Sequence, residues 1–189
     1  RIKEFYPYKL HISRNNNELV PSVHDMDSFQ KGQKQFRCDF SHTNRLFYSG
    51  DNYSSMTNQL DVFNQNGTSY ILSAYSSENT LAAYKPVNLK ECITLIKQVV
   101  YVLGNIHKMG YLYLDIKPDN VLIVDGYQKQ VQLFDFNSLF EWKKVNQPSD
   151  IRLSYTKGFA PIELQTSKIK RLGPHTDVYS VGALLFYLL

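Results

Sequence analysis

The sequence predicts an α+β fold in two parts, residues 1–75 and residues 76–189. Three observations carry this. The first part breaks into short extended pieces around one segment with helical spacing. From Asn88 onward, apolar residues recur every three or four positions. Between two such helical patterns lie two four-residue apolar runs, the pattern of a small hairpin.

Each element has a local reason. Phe29, Phe36, Phe40 and Phe47 share a rough helical spacing and predict a helix over 29–47. Ahead of it, Asn15-Asn16-Asn17 and Pro21-Ser22 read as loop. Asn66-Gly67 is a strong two-residue hairpin signal joining Leu60–Phe63 to Ser69–Leu72. Ile93, Ile96, Val100, Leu103 and Ile106 predict a long helix with one buried face, stopped at Gly110. Val121–Val124 and Val131–Phe134 are the two short strands, with Asp125-Gly126 between them. A polar loop follows over 137–157. The last segment, Thr176–Leu189, is apolar nearly all round, which predicts a helix at the centre of a sizeable domain.

Composition excludes several classes. Apolar residues make up 43% and charged residues 20%, so disorder and collagen-like repeats are ruled out. The charge, 21 − 17 = +4, is too weak to argue for a nucleic-acid partner. Cys38 and Cys92 cannot form a disulfide framework; both read as small core residues on helices, in a reducing, cytoplasmic setting. The longest apolar run, Val178–Leu189, falls short of the ~20 residues of a membrane span, and Arg1–Phe5 has no signal-peptide run. The chain starts without Met and stops inside an apolar segment, so it reads as a fragment cut at both ends, with any membrane anchor outside this window. The five histidines lack metal-ligand spacing, and His107, ending the long helix, reads as a capping or packing residue.

The informative stretch is Tyr113-Leu114-Asp115-Ile116-Lys117-Pro118-Asp119-Asn120, followed by Asp135-Phe136-Asn137. An acid, a base two residues on, an amide three beyond that, and a second acid after a hairpin suit phosphoryl transfer. That chemistry needs hard-oxygen metal ligands, a cation on the phosphates and a carboxylate near the attacking hydroxyl.

Here the sequence resembles the protein kinases. Asp115, Lys117 and Asn120 match the catalytic-loop pattern H-R-D-x-K-x-x-N, and Asp135-Phe136-Asn137 matches D-F-G. Gly158–Glu163 is similar to the end of the activation segment, and Asp177–Gly182 to the start of the central helix of the large lobe. Arg1–Pro7 resembles the end of the V-A-I-K strand of bacterial serine/threonine kinases, and Phe36-Arg37-Cys38-Asp39 the helix motif F-x-x-E. The resemblance implies a two-lobed kinase fold over 1–189: a partial small β lobe over 1–75 without its glycine-rich loop, then the hinge and first part of a mostly helical lobe over 76–189. ATP would bind between the lobes.

It also implies roles. Asp115 resembles the catalytic base, and Lys117 the lysine that stabilises the transferring phosphate. Lysine at that place favours serine/threonine over tyrosine substrates. Asn120 and Asp135 resemble the magnesium ligands. Lys3 resembles the lysine on the α- and β-phosphates and Asp39 its helix partner, the alternative being a solvated helix charge. Leu122 would be the apolar floor under adenine. Ser73 stands at the gatekeeper position, and backbone groups of Ala74 and Ser76 would contact adenine. Thr156 matches the threonine that bonds the catalytic loop. The implied cofactors are ATP and Mg2+, and the implied partner is a protein bearing a serine or threonine.

Departures qualify the picture. Tyr113-Leu114 replaces His-Arg, and the missing arginine predicts activity independent of loop phosphorylation. The bland alternative is decay to a pseudokinase, a scaffold or nucleotide-binding module. A small-molecule kinase is a third reading, disfavoured by Tyr113-Leu114-Asp115 and by the Gly158–Glu163 segment. Asn137 replaces glycine, and asparagine tolerates positive φ. Asp39 is one methylene shorter than glutamate. Glu163 lacks its usual arginine within this window and is expected to be exposed. Serines and threonines over 149–156 could host phosphorylation, although polar loops often contain such residues.

Overall fold

The structure is a computed structural model that describes residues 1–49, 55–74, 79–124, 129–142 and 155–189. The chain divides into two compact units: residues 1–47 with 58–76, and residues 48–57 with 77–189.

The first unit is a three-stranded antiparallel sheet, a hairpin and one helix. Its strands and helix are β1 (Ile2–Glu4), β2 (Ile12–Asn15), β3 (Glu18–Pro21), α1 (Met26–Phe47), β4 (Gln59–Gln65) and β5 (Thr68–Ser73). The sheet runs β1-β5-β4, with Lys3 opposite Ile71 and Phe63 opposite Tyr70. Asn66-Gly67 closes β4 and β5 with both residues at positive φ, 50° and 70°, as an Asn-Gly turn requires. Of the stretch Asn15-Asn16-Asn17, read as loop from sequence, Asn16-Asn17 is the turn of the hairpin β2–β3 and Asn15 is the last residue of β2. Asn16 and Asn17 sit at φ 47° and 71°, and Pro21 ends β3. Asparagine is the side chain best able to take two successive left-handed positions without glycine.

Helix α1 starts at Met26, three residues before the expected Phe29. Its buried stripe is Phe29, Phe36, Asp39, Thr43, Leu46 and Phe47, steps of three and four after the first turns. Cys38 lies off that stripe and is exposed, so it is not the core residue expected from its helical position. Phe5 packs between Phe29 and Phe36, ring centroids 5.3 and 5.5 Å away. The β2–β3 hairpin is tied to the sheet by charge and by backbone. Arg14 donates to Glu4 at 2.7 Å, Tyr70 donates to the other oxygen of Glu4 at 2.7 Å, and Leu19 N–H donates to Asn66 O at 2.8 Å.

The second unit holds β6 (Asn79–Thr80), α2 (Leu89–Lys108), β7 (Tyr111–Leu112), β8 (Val121–Val124), β9 (Gln130–Leu133), β10 (Phe140–Glu141), α3 (Ile162–Gln165) and α4 (Pro174–Leu188). Asn88 caps α2 by accepting from Glu91 N–H at 2.9 Å. Strands β8 and β9 pair antiparallel, with β6 on the other edge of β8; the expected Asp125-Gly126 turn lies outside the described residues. Gln98 of α2 pins β9, donating to Lys129 O at 3.0 Å and accepting from Val131 N–H at 2.8 Å. Helix α4 packs on α2 and buries Thr176, Asp177, Ser180, Val181 and Leu184, while Val178, Tyr179, Phe186 and Tyr187 are exposed. Phe186 is 83% exposed, so the apolar surround that predicts a central helix is half met in this chain.

Gly67 meets a close neighbour: a Cβ there would lie 2.4 Å from Leu19 O, at a φ of +70°. Gly67→Ala should therefore lower stability by about 1 kcal/mol or more. Thermal unfolding of the two proteins checks this; an unchanged midpoint would show that the hairpin is not docked there.

Candidate functional site

The catalytic-loop residues form one hydrogen-bonded cluster in the second unit. Strand β7 leads into Tyr113-Leu114-Asp115, and a 3-10 turn, Pro118–Asn120, leads out into β8. Asp115 is buried, at 8% exposure. Its Oδ1 accepts from Thr156 Oγ1 at 2.7 Å. Its Oδ2 accepts from Asn120 Nδ2 at 3.0 Å and pairs with Lys117 Nζ at 3.0 Å. Asn120 Nδ2 also donates to the Asp115 backbone oxygen at 2.9 Å, and Lys117 Nζ donates to Thr156 Oγ1 at 3.1 Å. The two groups that could hold this carboxylate in place, an amide and a hydroxyl, both donate to it. A buried carboxyl group hydrogen-bonded in this way is fixed in orientation.

The backbone of this loop is held from beneath by Asp177, near the start of α4 and fully buried. Asp177 Oδ2 accepts from Tyr113 N–H at 2.9 Å, and Oδ1 from Leu114 N–H at 2.8 Å. His107 Nε2 lies 2.7 Å from Oδ2. Of the capping and packing roles expected for His107, it takes the packing one, as part of the loop's anchor. Leu114 sits at φ 65°, a strained region for a bulky side chain. The carboxylate bond to its N–H offsets that strain. The Leu114 side chain is buried in an apolar cluster with Leu112, Phe140, Ala160, Leu164 and Leu172, with Trp142 and Ile169 packed against it. An arginine would not fit there without leaving a charge in an apolar setting.

Asp135 lies after β9 at φ 61°, ψ 73°, with its side chain exposed. The positive φ falls on Asp135 and not on Asn137, where the glycine substitution suggested it. Asn137 belongs to the 3-10 turn Phe136–Ser138, which Leu139 N–H closes onto Phe136 O, and such a turn needs negative φ. Tyr113 brackets Asp135 from both sides. Its hydroxyl donates to Phe134 O, and its ring meets Phe136 edge-on, centroids 5.4 Å apart. Burial, followed by the nearby charges of Asp135, Asp115 and Asp177, holds the Tyr113 phenol well above its usual pKa, so it remains a donor. Leu122 lies in β8 opposite Gln132 and Thr80 and is 4% exposed.

The remaining expected residues lie in the first unit. Lys3 is on β1. Asp39 is buried on α1, accepts from Gln35 Nε2 at 2.8 Å, and has its pKa raised from 3.8 to about 6. Burial is the main cause, opposed by the Gln35 hydrogen bond and by the charge of Lys3. Asp39 is therefore not a solvated helix charge. Ser73 ends β5, with its N–H on Arg1 O at 2.8 Å; the Ala74 N–H donates to Asn58 O at 2.8 Å, which leaves only its carbonyl for a ligand. Ser76 lies outside the described residues. Glu163, expected to be exposed, is at 15% side-chain exposure; it accepts from Thr176 Oγ1 at 3.2 Å and has His175 Nε2 at 3.7 Å. Among the described residues, the Thr176 hydroxyl serves this carboxylate, with the His175 ring nearby and no arginine paired to it.

Asp177 and His107 are the functional residues that sequence reading missed as a pair. The available signal was a lone acid in an otherwise apolar helix, which must find donors when buried.

A family model described as protein kinase domain matches residues 49–189. Among curated proteins, the chain is 26% identical over 161 residues to an Aurora kinase of Saccharomyces cerevisiae, covering 83% of this chain and 41% of that protein. It is 26% identical over 100 residues to the smooth-muscle myosin light chain kinase of Gallus gallus, 52% of this chain and 5% of that one. It is 26% identical over 145 residues to a serine/threonine-protein kinase D of Synechocystis, 74% of this chain and 28% of that one. The chain thus spans less than half the length of each of these relatives, which come from a fungus, a bird and a cyanobacterium.

Two outcomes follow. Asp177→Ala strands two buried N–H donors, so it should cost roughly 3 kcal/mol of stability, with Asp177→Asn costing less because it keeps one acceptor; urea denaturation separates the two. Asp39 carries a raised pKa, so the folded state binds its proton more tightly than the unfolded state. Its stabilising contribution is complete below pH 3.8 and is lost as pH rises through about 6. Asp39→Asn should flatten the fall in stability across that window and raise stability at pH 7, by at most about 3 kcal/mol. A variant less stable than wild type at pH 7 would mean that attraction to Lys3 outweighs burial.

Proposed function

Because this chain belongs to the protein kinase domain family, we propose that it transfers the γ-phosphate of ATP, with magnesium, to a serine or threonine hydroxyl of a protein. The observation that carries this is the closed cluster of Asp115, Lys117, Asn120 and Thr156. Asp115 presents a fixed carboxylate to an incoming hydroxyl, orienting it and accepting its proton. Lys117, held between Asp115 and Thr156, places a cation where charge develops on the transferring phosphoryl group.

The residues fit a magnesium ion by their donor chemistry. Asn120 spends its Nδ2 on Asp115, which leaves Oδ1 for a metal, and Asp135 offers an exposed carboxylate. Magnesium, when bound, would neutralise charge on the phosphates. Tyr113 fixes the backbone on both sides of Asp135, so this ligand is held by packing and not by its own contacts alone. Lys3 and Asp39 are proposed for the α- and β-phosphates, with Ser73, the Ala74 carbonyl, Ser76 and Leu122 toward adenine. Lysine at position 117 and the serine/threonine kinase among the relatives support a serine or threonine acceptor.

In the intact protein, Asp115→Asn should lower turnover by about a thousandfold or more while nucleotide binding stays within about twofold. Asp135→Asn should instead weaken magnesium-dependent nucleotide binding. Phosphate transfer from labelled ATP, with magnesium and with chelator, together with a nucleotide titration, measures both. Nucleotide binding without transfer by wild type would favour a pseudokinase; full transfer by Asp115→Asn would remove this residue from its assigned role.

A further inference from the structure

The net charge of this chain is concentrated in one place. Residues 141–175 hold seven lysines and arginines against three acids, a net of +4. That equals the charge of the whole chain, so the remainder carries fourteen of each sign. In the described part of this segment, Lys157, Lys168, Lys170 and Arg171 are all exposed, and none is paired with a carboxylate among the described residues. The segment's acids among the described residues are Glu141, half-buried in β10, and Glu163, which is turned inward onto Thr176 and His175. Among residues 155–175, no exposed carboxylate therefore lies beside these cations.

The position of these cations matters as much as their number. Lys157 directly follows Thr156, whose hydroxyl is 2.7 Å from Asp115 Oδ1, so its Cα is one step of about 3.8 Å from a residue that touches the proposed base. Lys168 and Lys170 flank Ile169, which packs against the same apolar cluster that buries Leu114, the neighbour of Asp115. Lys168 N–H is also bonded to Glu163 O at 2.9 Å. Local packing thus fixes the cations relative to the catalytic loop. Four unpaired, exposed cations on an ordered segment create a field that attracts acidic groups and repels basic ones. The exposed acid of the catalytic loop, Asp119, is not part of this segment.

We propose that the 155–175 segment selects acidic protein substrates: the acceptor hydroxyl is flanked by aspartate, glutamate or already phosphorylated residues, which Lys157, Lys168, Lys170 and Arg171 engage. This rests on the kinase reading above and deepens it. An anionic lipid surface would be attracted by the same charge. The peptide is favoured because the cations are placed by contacts to the catalytic loop and not on an amphipathic helix.

The test uses the intact protein and three peptides, each with one serine acceptor and flanking residues that are acidic, neutral or basic. Both kcat/KM with magnesium and ATP and peptide binding by fluorescence anisotropy are measured. The acidic peptide should exceed the neutral one by about tenfold or more in both, with the gap narrowing in high salt. The variant Lys157→Glu/Lys168→Glu/Lys170→Glu should erase that gap, leave the neutral peptide within about twofold, and keep the thermal midpoint of wild type. Equal use of all three peptides, or a triple variant that keeps the acidic preference, overturns the inference while leaving the kinase reading intact. Selective binding of the acidic peptide without transfer to any peptide supports the docking inference and defeats the kinase reading. Vesicles of phosphatidylserine and phosphatidylcholine complete the set: charge-dependent binding to them without any peptide preference assigns the cations to a lipid surface and overturns the proposal.

Discussion

The carboxylate of Asp177 holds the catalytic loop in its working shape. Its two oxygens take the N–H groups of Tyr113 and Leu114 and face the ring of His107, in a position with no solvent access. Those bonds join the end of α2, the loop after β7 and the start of α4 at one point. They also let Leu114 keep a left-handed backbone that a leucine would not choose. With that turn in place, Asp115 points toward Lys117, Asn120 and Thr156. Without it, the Asp115 carboxylate would have no fixed direction. The strain sits next to Asp115, and a buried side chain with three partners sustains it.

Above that anchor, the site is assembled by mutual satisfaction. Asn120 uses one end of its amide to fix Asp115, which leaves its Oδ1 for the proposed metal. Thr156 both donates to Asp115 and accepts from Lys117. Tyr113 adds a buried phenol that spans the backbone around Asp135. The substitutions at Tyr113 and Leu114 therefore do not leave holes. One supplies an aromatic donor and the other an apolar side chain that completes a cluster.

How much of this could be read from the residues varies with the range of the interaction. The Asn66-Gly67 turn, the existence of α2 and the catalytic-loop spacing are local signals, but the buried face of α2 is Cys92, Leu95, Val99, Val102, Leu103 and Ile106, with Ile93 and Val100 of the expected stripe exposed. The Asn16-Asn17 turn was missed because the strands beside it are short and polar, with Ser13, Arg14 and Asn15 on one side. Cys38 was misplaced because helical membership alone does not say which face a residue occupies; the stripe through Phe36, Asp39 and Thr43 does. Positive φ was assigned to Asn137 by residue type, whereas the following 3-10 turn moves it to Asp135. The Asp177–His107 contact spans seventy residues, and Glu163 finds Thr176 across thirteen; no local pattern encodes either pairing. The basic character of residues 141–175 was in the sequence throughout, hidden by a whole-chain average of only +4.

The cluster around Leu114 joins the catalytic loop to Ala160, Leu164 and Leu172 through apolar contact alone. Attraction of that kind weakens on cooling and is insensitive to the screening that dissolves ion pairs. The apolar part of the support beneath the 155–175 segment is thus firmest in warm solution and little affected by charge screening, while the lysines it carries act through a field that salt weakens. Temperature and salt therefore address two different layers of the same segment: one governs whether it stands, the other what it attracts.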